Sequence, residues 1–188
     1  MLEAQKHRRM QNMKCYAYIA AFAVFQTIII LVFALTVLKI KTPSVKLTSV
    51  TVDRLNSATT PSPSFNMTLT AEIAVKNKNF GHFKFDNSTA TVSYGGTAVG
   101  EAFVPMARAK ARKTRRMNIT MEVTSERLSG VTNLSNDLSS GTLTLNSYAK
   151  LSGKVHLMKI MKKRKSAEMN CTIAVNLGSK TIQKVECE

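Results

Sequence analysis

Residues 15–38 form one apolar run, from Cys15-Tyr16-Ala17-Tyr18 to Leu35-Thr36-Val37-Leu38, in which only Gln26, Thr27 and Thr36 are markedly polar. A helix of this length reaches ~36 Å, more than the ~30 Å of a bilayer's hydrocarbon core. Lys14 and Lys39 bracket the run, and Tyr16 and Tyr18 stand where an interfacial aromatic belt belongs. The run is apolar on every face, which is wrong for a helix that buries one stripe in a soluble core. The stretch Val37-Leu38-Lys39-Ile40-Lys41 offers no small-x-small cleavage site. The expected organisation is a basic tail (1–14), an uncleaved single-pass anchor (15–38) and one domain (39–188), long enough to build its own core.

Flanking charge does not orient the anchor. Lys6, Arg8, Arg9 and Lys14 on one side are matched by Lys39, Lys41, Lys46 and Arg54 on the other. Two other patterns put the domain outside the cell. Five Asn-x-Ser/Thr sequons follow the anchor, at Asn66, Asn87, Asn118, Asn133 and Asn170. Around Asn66, Asn118 and Asn170 the apolar residues alternate so that each Asn falls on the solvent face of its strand. Then Cys171 and Cys187 flank Gly178-Ser179-Lys180, and a hairpin centred on Ser179 sets them opposite each other. Opposed cysteines can close a disulfide in an oxidising compartment; two free thiols are the alternative. Cys15, beside Lys14, is a lipidation candidate if its membrane face is cytosolic.

Period-2 alternation recurs through residues 45–188, as in Phe65, Met67, Leu69, Ala71, Ile73 and Val75. Leu128, Val131, Leu134 and Leu138 break the rhythm with helical spacing, and Gly141 stops it. The expected fold is mainly β: an antiparallel sandwich of immunoglobulin or fibronectin type, seven or eight strands, with one short α-helix. The absence of Trp excludes an antibody-type Cys…Trp…Cys core. Asn56–Ser64, rich in Ser, Thr and Pro, reads as a flexible loop.

The segments Lys39-Ile-Lys-Thr-Pro-Ser-Val-Lys-Leu47, Ser64-Phe-Asn-Met-Thr…Val75-Lys-Asn-Lys-Asn-Phe-Gly-His-Phe-83 and Ser93-Tyr-Gly-Gly-Thr-Ala-Val-Gly100 resemble the plant late embryogenesis abundant group 2 proteins. Within them the chain is most similar to the membrane-anchored, harpin-induced-like and disease-resistance-like branch. The resemblance covers the anchor and nearly all of the domain. Lys78 departs from it, standing where the family usually has Pro between two Asn. It implies a sandwich with one helix, a plasma-membrane location and a role in stress or defence.

Catalytic chemistry is not legible. His7, His82 and His156 have no metal-ligand spacing, and no CxxC, Gly-x-Ser-x-Gly or phosphate-loop motif occurs. Asp53, Asp86 and Asp137 read as scattered structural acids. The reading is a non-enzymatic protein with no cofactor and no metal.

Charge is the informative feature, with 27 Lys and Arg against 11 Asp and Glu. Arg108, Lys110, Arg112, Lys113, Arg115 and Arg116 put six cations in nine residues; Lys159, Lys162, Lys163, Arg164 and Lys165 put five in seven. Such runs recruit polyanions or are merely solvated connections between strands. Nucleic acid is a poor fit, because aromatic residues are not interleaved with the cations. The first reading is a glycosylated exterior domain whose basic loops meet acidic wall polysaccharide or a protein partner. The alternatives are a lipid-handling domain lined by Met67, Met117, Met121, Met158, Met161 and Met169, and a cytosol-facing domain on anionic lipid.

Overall fold

A computed structural model describes residues 2–37, 39–128, 133–157 and 161–188. The chain divides into two compact units, Met1–Ile40 and Lys41–Glu188.

The first unit is a single helix, α1 (Leu2–Val37), so residues 2–14 continue the same helix as the apolar run instead of standing apart from it. Its stretch Met13–Thr36 is long and apolar enough to cross a membrane. Two threonines within it are satisfied by the helix itself: the Thr27 and Thr36 hydroxyls donate to the Ala23 and Val32 carbonyls, each at 2.7 Å. An apolar solvent demands that kind of internal pairing.

The second unit is antiparallel β. Its strands are β1 (Ser44–Ala58), β2 (Ser64–Lys76), β3 (His82–Phe85), β4 (Ser88–Tyr94), β5 (Thr97–Val104), β6 (Ala107–Ala109), β7 (Thr114–Thr124), β8 (Thr142–Leu157), β9 (Met161–Asn176) and β10 (Thr181–Cys187). They form one sheet in the order β1-β2-β7-β5-β4-β8-β3-β6, with β9 also on β8 and β10 on β9. The long β8 organises it: its first half pairs with β4, its second half with β3, and its other edge with β9 throughout. The sheet curls until β1 approaches β9 and β10, nearly closing around the core.

Among the described residues ten strands form, where seven or eight were expected. The extra ones include β3 and β6, four and three residues long, too short for alternation to announce. The alternation itself is realised: Met67, Leu69, Ile73 and Val75 of β2 and Leu143, Leu145, Leu151 and Val155 of β8 point inward and are buried. Phe83 and Phe85 are fully buried, and truncating either to Ala would cost ~3–5 kcal/mol.

Three boundaries differ from expectation. Asn56–Ala58 belong to β1, paired with Ser64–Asn66, so the loop is only 59–63. The helix, α2 (Leu134–Ser140), starts later than the Leu128 spacing implied; Leu128 follows a 3-10 turn over Ser125–Arg127, and Val131 lies outside the described residues. Gly141 ends α2 as expected. α2 is pinned to the sheet by the Tyr94 hydroxyl, which donates to Asp137 at 2.7 Å. Burial, together with that bond, pushes the Tyr94 phenol up to about 12.

A disulfide joins Cys171 and Cys187, whose Cα atoms are 4.0 Å apart.

A candidate anion-binding face

The fold gathers charge on one outward face of β6, β3, β8 and β9. Directly opposed residues in a sheet share a face. Lys84 opposes Arg108 on β6 and Lys154 on β8, and Lys154 opposes Arg164 on β9. Four exposed cations therefore stand in one row across four adjacent strands, Arg108–Lys84–Lys154–Arg164. Among the described residues a carboxylate answers only one end, where Arg164 meets Asp86 at 3.0 Å.

One step along the same face, His82 opposes His156, and His156 opposes Lys162. The two imidazoles stack with centroids 4.7 Å apart and planes 11° from parallel. They border an open groove of about 780 Å³. Arg108, Lys110, Lys113 and Lys162 line it with Phe80, and no acidic side chain is among its lining residues. Burial and then the neighbouring Arg108 and His156 hold the His82 imidazole below its ordinary pKa, so the empty groove favours its neutral form.

Two close approaches set this geometry. A Cβ at Gly81 would overlap the His156 carbonyl, and one at Gly153 would overlap the Lys84 carbonyl. With glycine at both, β3 lies tight against β8, and the opposed pairs of histidines and lysines follow from the register. The groove's rim is held from below by two buried amides. Asn77 Nδ2 donates to the carbonyls of Gly81, Ala109 and Lys110 at 2.8, 3.2 and 3.1 Å. Asn77 Oδ1 accepts from the Asn79 backbone at 3.0 Å, and the Asn79 side chain exchanges two bonds with the Lys41 backbone. The backbone N–H of Asn77 and that of Arg112 complete the tie between 77–79 and the turn at 110–113. Lys78 is thus accommodated where Pro was expected, since Asn77 and Asn79 hold the segment through their side chains.

The structure sorts the cations read from sequence. Arg108, Lys110, Lys113 and Lys162 converge on the groove and Arg164 on the adjoining row. Arg112 lies at the rim, 4.9 Å over the Phe80 ring, an exposed cation–π contact. Arg115 and Arg116 sit on β7 beside β2, where Arg116 pairs with Glu72 at 3.2 Å. Lys163 and Lys165 oppose Val155 and Gly153, on the other face of β8 and β9. Lys159 and Met158 lie outside the described residues. Most of these cations are strand residues, so "basic loops" is corrected to a basic sheet face plus one turn. Lys84, Lys154, His82 and His156 were missed as members of a site, because none belongs to a dense run.

The five sequon residues Asn66, Asn87, Asn118, Asn133 and Asn170 are all exposed. Cys15 is exposed and free on α1. Met67, Met121 and Met169 are buried in the core, Met117 is half-buried and Met161 is exposed. The three aspartates are apart: Asp53 bonds Thr70, Asp86 meets Arg164 and Asp137 meets Tyr94. No group of three metal-ligating side chains occurs among the described residues.

A family model described as "Late embryogenesis abundant protein" matches residues 72–173, more than half of the chain. The chain belongs to the late embryogenesis abundant group 2 family. A late embryogenesis abundant protein of Arabidopsis thaliana is 35% identical over 171 residues, covering 86% of this chain and 79% of the relative. Among solved structures, the solution structure of an Arabidopsis thaliana protein covers 72% of this chain and 83% of its own, at 14% identity and a TM-score of 0.47. That of a putative late embryogenesis abundant protein covers 76% of each chain, at 12% identity and a TM-score of 0.32. Membership in the family points to a stress-related role, and α1 is compatible with membrane anchoring.

Proposed function

We propose that this family member is a non-enzymatic, single-pass plasma-membrane protein with its basic tail in the cytosol. On this reading the Met13–Thr36 stretch is its anchor, and the β-rich domain stands outside, glycosylated, gripping acidic polysaccharide of the cell wall during stress or defence. One observation carries the ligand class: the row Arg108–Lys84–Lys154–Arg164 beside a groove lined by further cations. Like charges set directly opposite one another destabilise a sheet. A repeating polyanion relieves that repulsion with evenly spaced carboxylates laid along the row. Exposure of the five sequon Asn and the Cys171–Cys187 bridge support the exterior placement.

The test is co-sedimentation of the full chain, in non-ionic detergent, with demethylated pectin at moderate salt. The protein is expected to pellet, and to stay in solution when Lys84, Arg108, Lys154 and Lys162 are changed to Met. Equal pelleting of that variant and the natural chain would sink the assignment of this face. An absence of pelleting by the natural chain would sink the ligand class.

A further inference from the structure

We propose that the stacked His82–His156 pair makes the groove an acid-strengthened anion site: it takes one anionic group of a bound polysaccharide, between Arg108, Lys110, Lys113 and Lys162, more tightly as the His82 imidazole, stacked on His156, takes up a proton. This rests on the polyanion reading above and specifies the regulation of that same face.

The geometry is the foundation. Two imidazoles stacked 4.7 Å apart both line the same groove. Among the described residues the charged groups nearest the pair are cationic; the acids in this region are already engaged, Asp86 by Arg164 and Glu168, farther along β9, by Lys150 at 2.7 Å. The cations are Lys84 on β3, Arg108 on β6, Lys154 on β8, Lys162 and Arg164 on β9, and Lys110 and Lys113 on the turn. With no anion present, a proton on the His82 ring is repelled by this surround. Burial adds to the effect at His82, which is held below its ordinary value of 6.5. An anion in the groove reverses the balance, because it offers the imidazolium a counter-charge. Linkage is reciprocal: if the anion favours the proton, the proton favours the anion by the same factor.

The sign for the empty domain is opposite. A base whose folded pKa is depressed contributes stability that is complete above 6.5 and is lost as pH falls. Acid therefore loosens the empty domain while tightening its hold on a polyanion.

The experiment uses fluorescent dextran sulfate, whose own charge is constant between about pH 5 and 8, against the full chain in non-ionic detergent at constant ionic strength. One coupled proton with a shift of one unit is worth about tenfold. Affinity is thus expected to rise about tenfold between about pH 7.5 and about pH 5.5, where histidine is the side chain that titrates. The double variant His82→Gln/His156→Gln should bind as the natural chain does at the higher pH and gain nothing in acid. The single variant His156→Gln, at a half-exposed position, should lose part of the gain and guards against misfolding of the double. Binding that does not change with pH in the natural chain overturns the proposal while leaving the polyanion face standing. A full pH response in both variants overturns it too, assigning the response elsewhere. No binding at either pH removes the polyanion reading and the proposal together.

Discussion

Replacing Lys84 and Lys154 with Met should make the domain more stable and a worse ligand binder at once. These two lysines are the interior members of the row Arg108–Lys84–Lys154–Arg164, so the double change removes all three like-charge neighbour contacts. Directly opposed like charges cost roughly 0.2–1 kcal/mol each. Asp86 already moderates the contact nearest Arg164, at 3.0 Å from that guanidinium. The expected gain is therefore about 1–2 kcal/mol at low salt, and Met keeps most of the lysine stems' apolar cover. For a domain of this size each kcal/mol moves Tm by about 2–4 °C, giving a rise of about 2–8 °C. The assay is thermal unfolding of the full chain in non-ionic detergent, followed by circular dichroism. At about 1 M salt the Debye length falls to about 3 Å and the gain should vanish. A Tm that stays the same or falls at low salt would refute the reasoning, as would a gain that persists in high salt. Either result would mean that the row is not under electrostatic strain and that the argument for a waiting polyanion has lost its premise.

Other consequences follow from buried parts of the domain. Asn77→Ala leaves the carbonyls of Gly81, Ala109 and Lys110 without their shared donor, and should cost about 2–3 kcal/mol, read as a lower urea midpoint. Cys171→Ala with Cys187→Ala opens a loop of sequence separation 16 and should cost about 3 kcal/mol, read as a Tm drop that reductant also produces in the natural chain. Tyr94→Phe removes the only described bond between α2 and the sheet's side chains, and should speed amide exchange across Leu134–Ser140 by more than it does in β8.

What was legible in the sequence was whatever depends on local pattern. The apolar run was readable because a lipid-spanning helix must be apolar on all sides, and α1 carries it. Inward alternation in β2, β8 and β9 was readable for the same kind of reason. The disulfide was reached from a turn centre that is half a residue off. Asn176 opposes Thr181, so the hairpin starts in a different register, and a bulge at Gln183 then restores the one that sets Cys171 against Cys187. The His pair shows what was hidden. His82 and His156 meet only because β3 pairs with the second half of β8, a register that two glycines permit and no local signal announces. The basic runs misled in the other direction. Dense charge looks like a solvated loop, yet on β9 alternate cations are divided between two faces, and only Lys162 and Arg164 join the site. Lys84 and Lys154 entered from outside the runs.

All that is proposed for this face depends on which side of the membrane it occupies. The most direct measurement is the gel mobility of the C-terminally tagged chain, expressed in plant cells, before and after peptide N-glycosidase. Exposed Asn66, Asn87, Asn118, Asn133 and Asn170 are available for glycans only in the secretory lumen. The account predicts a fall in apparent mass on treatment. A chain whose mobility does not change, and whose domain is shielded from protease added to intact cells, would contradict it and return the domain to the cytosol.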